Sequence, residues 1–186
     1  IVRINPDGTR DTSFTIGSSF NPVQTATTLA IQSDGKIVIG GNFNSYSGNS
    51  SPKIVRLNSN GTYDNTFITG TGFNGAVNDV AVLSDGSIVV VGDFTSYNGT
   101  TGVNRIAKLS ARGVLESACK INVGSGFVSS VRVVKEIPGV GIMVGGAFGS
   151  FNGSTANGIV CLTLNGNLCS GISLGIGATF VDQPGE

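Results

Sequence analysis

Histidine and tryptophan are absent from the 186 residues, methionine occurs once and cysteine three times. Without histidine the chain lacks the usual general base, the commonest zinc ligand and the side chain that titrates near neutral pH. No serine or cysteine has an imidazole to activate it. Charge is also scarce: 11 basic and 11 acidic residues cancel, and charged residues are 12% of the chain, where ~25% is typical. A neutral chain offers no electrostatic footprint for DNA or RNA. No apolar run approaches the ~18 residues of a membrane-spanning helix. The chain opens on Ile1 with neither signal peptide nor initiator methionine, which points to a processed chain or a piece of a longer one.

Glycine is abundant, at 29 residues. It has no Gly-X-Y period, so collagen is excluded and many tight turns are implied. An apolar content of 39% with mean hydropathy +0.23 is enough to build a core.

Self-similarity organises the rest. Ile1-Val2-Arg3-Ile4-Asn5 with Gly8 recurs as Ile54-Val55-Arg56-Leu57-Asn58 with Gly61, as Ile106-Ala107-Lys108-Leu109-Ser110 with Gly113, and as Ile159-Val160-Cys161-Leu162-Thr163 with Gly166. Those glycines lie 53, 52 and 53 residues apart. A second block, Ser33-Asp34-Gly35-Lys36-Ile37-Val38-Ile39-Gly40-Gly41-Asn42-Phe43, returns from Ser84 to Phe94 and, degraded, from Gly141 to Phe148. Tyr46 with Gly48, Tyr97 with Gly99 and Phe151 with Gly153 follow the copies in turn. The chain reads as one repeat array over 1–186, with units at about 1–53, 54–105 and 106–158 and a partial unit 159–186, about 3.5 repeats in all.

Within one period, alternating β-branched runs bounded by turn dipeptides predict four short strands, at roughly 54–58, 62–68, 77–83 and 87–92, and no 3.6-residue pattern occurs. The expected fold class is all-β, with β-propeller-type blades of four antiparallel strands packed face to face. Asn5-Pro6-Asp7-Gly8 and Gln32-Ser33-Asp34-Gly35 suit type I turns closed by a glycine bulge.

The elements RLN-x-x-G-x-x-D-x-x-F, DG-x-I and GDF-x-x-Y-x-G occur in order and in more than one copy, in "RLNSNGTYDNTF", "AVLSDGSIVVVGDFTSYNG" and "RIAKLS". Over essentially the whole chain this resembles the delta-60 repeat family, a β-propeller-like repeat of secreted bacterial surface proteins and of phage tail and fibre proteins. Glu136-Ile137-Pro138-Gly139-Val140-Gly141, Ala147 and Cys119 depart from the pattern.

Residues that recur in every copy serve the repeat, so chemistry belongs where copies differ. Asp34 and Asp85 stand in turn slots that favour aspartate. Tyr46, Tyr97 and Phe151 could form a sugar-stacking ladder, but their recurrence favours loop anchoring. Asn42 and Asp93 match no calcium loop. Gly40-Gly41 and Gly145-Gly146 lack the lysine and helix of a phosphate site. Asn49, Asn60, Asn98 and Asn152 head formal glycosylation motifs, the last three also being Asn-Gly turns. No catalytic residue, cofactor or metal site is expected.

The expected function is a non-enzymatic structural or recognition module, extracellular or on a virion surface, in a phage tail or fibre or a bacterial adhesin. Its expected partners are a cell-surface glycan or protein receptor. The alternative is a carbohydrate-active propeller enzyme, which needs two carboxylates at one rim. Propellers close with ~4–8 blades, so further blades are expected from the same longer chain or from neighbouring subunits.

Hairpin register gives one more expectation. A three-residue loop at Pro6-Asp7-Gly8 sets Arg3 opposite Asp11, and the same count sets Arg56 opposite Asp64, Lys108 opposite Glu116 and Cys161 opposite Cys169. Three copies thus carry opposite charges across the strands. The fourth carries two facing thiols, which predicts a disulfide stabilising by ~2–3 kcal/mol in oxidising surroundings. Cys119, in the slot of Phe14 and Phe67, is expected as a buried free thiol.

Overall fold

The computed structural model describes residues 1–18, 20, 24–116 and 125–170. Among these there are only strands. The first unit comprises β1 (Thr25–Ile31), β2 (Ile37–Asn42), β3 (Ser45–Tyr46), β4 (Asn49–Ser50) and β5 (Ile54–Leu57). The second comprises β6 (Val77–Val82), β7 (Ile88–Gly92), β8 (Ser96–Tyr97), β9 (Thr100–Thr101) and β10 (Ile106–Leu109). The third comprises β11 (Val131–Ile137), β12 (Gly141–Gly146), β13 (Ser150–Phe151), β14 (Ser154–Thr155) and β15 (Ile159–Leu162). Each unit forms an antiparallel three-stranded sheet, ordered β1-β2-β5, β6-β7-β10 and β11-β12-β15, with its two-residue hairpin between the second and third strands. Each sheet straddles a boundary between sequence units, because hydrogen bonding, not the sequence period, sets where a unit starts.

The fourth strand expected at 62–68 shrinks to one bridge, Leu57 to Tyr63, matched by Ile4 to Arg10, Leu109 to Leu115 and Leu162 to Leu168. The reason is local. Asp64 Oδ1 accepts the Thr66 N–H at 3.0 Å and its hydroxyl at 2.7 Å, which turns the chain out of the sheet.

Loops fix the register. Gly8, Gly35, Gly61, Gly86 and Gly113 all have φ between 80° and 88°, closing three-residue hairpin loops as a glycine bulge requires. The departing segment Pro138-Gly139-Val140 keeps that loop length: the Val140 N–H donates to Ile137 O and Gly139 has φ 77°, a type II turn with proline then glycine at its centre. Asn98-Gly99 and Asn152-Gly153 have positive φ at both residues, the type I′ geometry of two-residue hairpins.

Sheets pack face to face. Val38 and Ile54 of the first sheet meet Val80, Val90 and Leu109 of the second, and Val89, Val91 and Ile106 of the second meet Val134, Val144 and Leu162 of the third. The first strands β1, β6 and β11 lie side by side. Each carries a β-bulge at the same place, between Ala26 and Thr28, Val77 and Asp79, and Val131 and Val133. The bulged Thr27 and Asn78 reach forward: the Thr27 hydroxyl donates to Val77 O at 2.7 Å and the Asn78 amide to Val131 O at 2.8 Å. Asp79 joins all three strands, accepting the Thr28 hydroxyl at 2.7 Å and the Val134 N–H at 3.0 Å.

Candidate functional site

The cross-strand slot is the repeated polar centre. Arg3 Nε donates to Asp11 Oδ2 at 2.7 Å and Arg56 Nε to Asp64 Oδ2 at 2.8 Å. Lys108 Nζ lies 3.6 Å from Glu116 Oε2 and nearer, at 3.2 Å, to Asp85 Oδ2. In the fourth copy Cys161 and Cys169 are joined by a disulfide with a Cα–Cα distance of 5.4 Å. The backbone is alike in every copy: the N–H of Asp11, Asp64, Glu116 and Cys169 donates to the carbonyl of Arg3, Arg56, Lys108 and Cys161. Cys119 lies outside the described residues.

Each arginine also clasps the next unit. Arg3 Nη1 donates to Ser59 O and Arg56 Nη1 to Ala111 O, Arg56 Nη1 also donating to Gln32 Oε1 of its own sheet. Their guanidinium groups stack on Phe14 and Phe67, 5.0 and 4.8 Å from the ring centres. Sequence reasoning missed this stacking, although Lys108 and Cys119 depart from Arg and Phe together in one copy.

The carboxylates of these slots are committed to fixed hydrogen bonds. The Ser13 hydroxyl and N–H, then Arg3, hold Asp11 down at about 2. Burial alone would raise Asp64, but the Thr66 hydroxyl, Lys36 and the Thr66 N–H outweigh it and hold the carboxyl well below the usual range. Burial opposes the Ser87 and Lys108 contacts at Asp85 too, with a net lowering. Such groups stay ionised at neutral pH and make poor general acids.

Tyr46, Tyr97 and Phe151 are buried in aromatic triads, with Phe20 and Phe43, Phe73 and Phe94, and Phe127 and Phe148, at ring-centre distances of 4.2–5.0 Å. The Tyr97 hydroxyl donates to Ile68 O at 3.3 Å and Gly113 O at 2.5 Å, and the Tyr46 hydroxyl donates to Ile16 O and Gly61 O. Burial pushes both phenols up. Rings enclosed in this way offer no face to a sugar. Asn42 and Asn44 point their side-chain oxygens at the Lys53 ammonium, 2.9 and 3.0 Å away, so that oxygen pair already holds a cation. Among the described residues no three His, Cys, Asp or Glu side chains gather as a metal site, and no helix is long and apolar enough to cross a membrane.

One open cavity of about 400 Å³ lies where hairpin loops of neighbouring sheets meet. It is lined by Gln32, Ser33 and Asp34 of the first sheet, Val82, Leu83, Ser84 and Gly86 of the second, Ala111, and Glu136 of the third. Glu136 accepts the Ser84 N–H at 2.8 Å and its hydroxyl at 2.6 Å. The signal in the sequence was a carboxylate where the other copies have Ile31 and Val82.

Repeated antiparallel sheets stacked on apolar faces make this a protein of the β-propeller type. The chain matches the family model described as Domain of unknown function (DUF5122) beta-propeller over residues 1–14, 32–67, 83–118 and 142–171, and it belongs to that family. No curated protein matches it. The matched segments end at or just past the outer bridge and omit β1, β6 and all of β11, so Asp79, Val82 and Glu136 lie outside them.

Proposed function

We propose that the chain is a non-enzymatic structural or recognition module displayed outside the cell, in a phage tail or fibre or a bacterial surface adhesin of the delta-60 type, binding a surface glycan or protein. The observation that carries this reading is the fate of the repeated acidic groups. Asp11 and Asp64 are engaged by an arginine and by hydroxyl and N–H donors of their own turns, and Asp85 by Lys108 and Ser87. None of these is left to exchange protons with a substrate. The Cys161–Cys169 disulfide suits oxidising surroundings, and short polar turns on a packed scaffold suit an exposed recognition surface.

The rival reading, a carbohydrate-active enzyme, draws on Asp34 and Glu136 lining one cavity. Both Glu136 oxygens already accept hydrogen bonds from Ser84, which favours recognition. A glycan array run beside a polysaccharide hydrolysis assay decides between them. Binding without turnover is expected, and turnover of any polysaccharide would sink the proposal.

A further inference from the structure

The repeat contains its own comparison for the cavity. Strand registers place Ile31, Val82 and Glu136 at one position, opposite Ile37, Ile88 and Ile142. Ser33 and Ser84 likewise share one loop position, two residues on. At the junction of the second and third sheets, the Ser84 N–H and hydroxyl hold the Glu136 carboxylate with both oxygens. At the junction of the first and second sheets, Val82 occupies the Glu136 position and brings no oxygen. The Ser33 N–H and hydroxyl have no partner among the described residues, and Ser33 is exposed and lines the cavity.

From this we infer that the cavity binds a carboxylate supplied in trans, by a uronic-acid sugar. This rests on the reading of the chain as a recognition module and names its ligand class. The Ser33 N–H and hydroxyl are the carboxylate's donors, in the geometry Ser84 uses for Glu136. Asp34 beside Ser33 and Glu136 of the third sheet accept from the ring hydroxyls, since a carboxylate oxygen has acceptor capacity beyond one bond. Val82, half-buried on the face of the second sheet turned to the first, supplies the apolar contact for the sugar's C–H face. The volume of about 400 Å³ lies within the ~300–1,000 Å³ of ligand sites. Ser84 and Gly86 recur as Ser33 and Gly35, and Val82 answers Ile31, whereas Glu136 has no carboxylate counterpart in the other copies, so the two junctions differ in which of them is given a carboxylate from within the chain.

The test titrates glucuronate, its methyl ester and glucose into the wild type, Ser33→Ala and Val82→Glu while backbone amide shifts are followed by NMR. Glucuronate is expected to shift the Ser33 amide and those of Asp34 and Ser84. The ester and the Ser33→Ala variant should each weaken binding about tenfold or more, the loss of a charge-assisted hydrogen bond. Val82→Glu places a carboxylate in the notch from within the chain and should abolish binding. No response at Ser33, or a response that survives Val82→Glu, overturns the inference. Ser33 is exposed, so Ser33→Ala keeps the test decisive if Val82→Glu fails to fold. Array binding that Val82→Glu leaves intact would sink the cavity and leave the recognition reading standing. A bare array with a Ser33 response to glucuronate would sink the wider reading and keep the site.

Discussion

A guanidinium withdrawn from water is tolerated only when its donors are used. Arg56 satisfies this with Asp64, Gln32, Thr66 and Ala111 O, and with the face of Phe67. Asp64 in turn takes Lys36 at 3.0 Å. Cutting one partner leaves a buried charge, so Asp64→Ala should destabilise by ~3–5 kcal/mol. Asp11→Ala, at the solvent-facing copy, should cost visibly less, and denaturant midpoints compare the two. The same groups set an acid limit. Asp11 at about 2, and Asp64 lowered as well, lie below the unfolded value of ~3.9, so the unfolded chain binds more protons between those values. Stability is therefore full above about pH 5 and falls as pH drops through 4 towards 2. Urea midpoints across pH 2–7 should show that fall, and Asp64→Asn should flatten it; an unchanged slope would contradict the assignment. These pairs were legible because both partners belong to one hairpin and register is countable. Gln32 in the first loop of the same sheet and Ala111 O in the next sheet, 24 and 55 residues from Arg56, were not, since a hairpin count reaches neither a distant loop nor a neighbouring sheet.

In each sheet the first strand is the element that departs most from regular pairing, and glycine is what permits it. Opposite the bulges, a Cβ at Gly41, Gly92 or Gly146 would overlap the backbone oxygen of Thr25, Ala76 or Ser130. In the Gly-Gly pairs that lack every companion of a phosphate loop, the second glycine is thus explained by close backbone approach, and the first by a side chain, Val77 against Gly40 and Val133 against Gly145. Gly92→Ala should push β6 off β7 and cost at the upper end of the ~1–3 kcal/mol of overpacking. Gly99→Ala, whose Cβ meets open space but whose φ is 76°, should cost only the ~1–2 kcal/mol of a left-handed residue. Thermal unfolding of the pair checks the order, and equal losses would show that the bulge has no special need of glycine. The strands β5, β6 and β7 were readable from alternation, within a residue at each end. The outer strand at 62–68 was not, because apolar alternation in Tyr63, Phe67 and their neighbours reads as pairing while Asp64 turns the chain away. The bulges left no mark in the pattern beyond the glycines, since one inserted residue is invisible until its partner strand is placed.

Across the molecule the ties between sheets share one direction. Thr27 and Asn78 reach forward to the next first strand, and Arg3 and Arg56 to the next outer turn. A sheet therefore presents a forward face that clasps and a backward face that is covered. Val80 and Val134, on the backward faces of the second and third sheets, are 2% and 0% exposed, while Leu29 at the same position of the first is 56% exposed and Ile31 beyond it 64%. Arg3 bonds Ser59 O in the outer turn of that sheet, but Leu29 and Ile31 on its backward face stay exposed. Two large aliphatic side chains in the slot that elsewhere builds the core lead us to predict a partner of the same kind. The expected occupant is a further sheet of this repeat, from a longer chain or a neighbouring subunit. At rising concentration this polypeptide should self-associate in light scattering, and Leu29→Ser with Ile31→Ser should reduce that association while barely changing thermal stability, because neither side chain is covered within the unit. A wild type that stays monodisperse and monomeric with one cooperative unfolding transition would overturn this. It would mean that three sheets bury enough apolar surface between them and that Leu29 and Ile31 are ordinary surface residues.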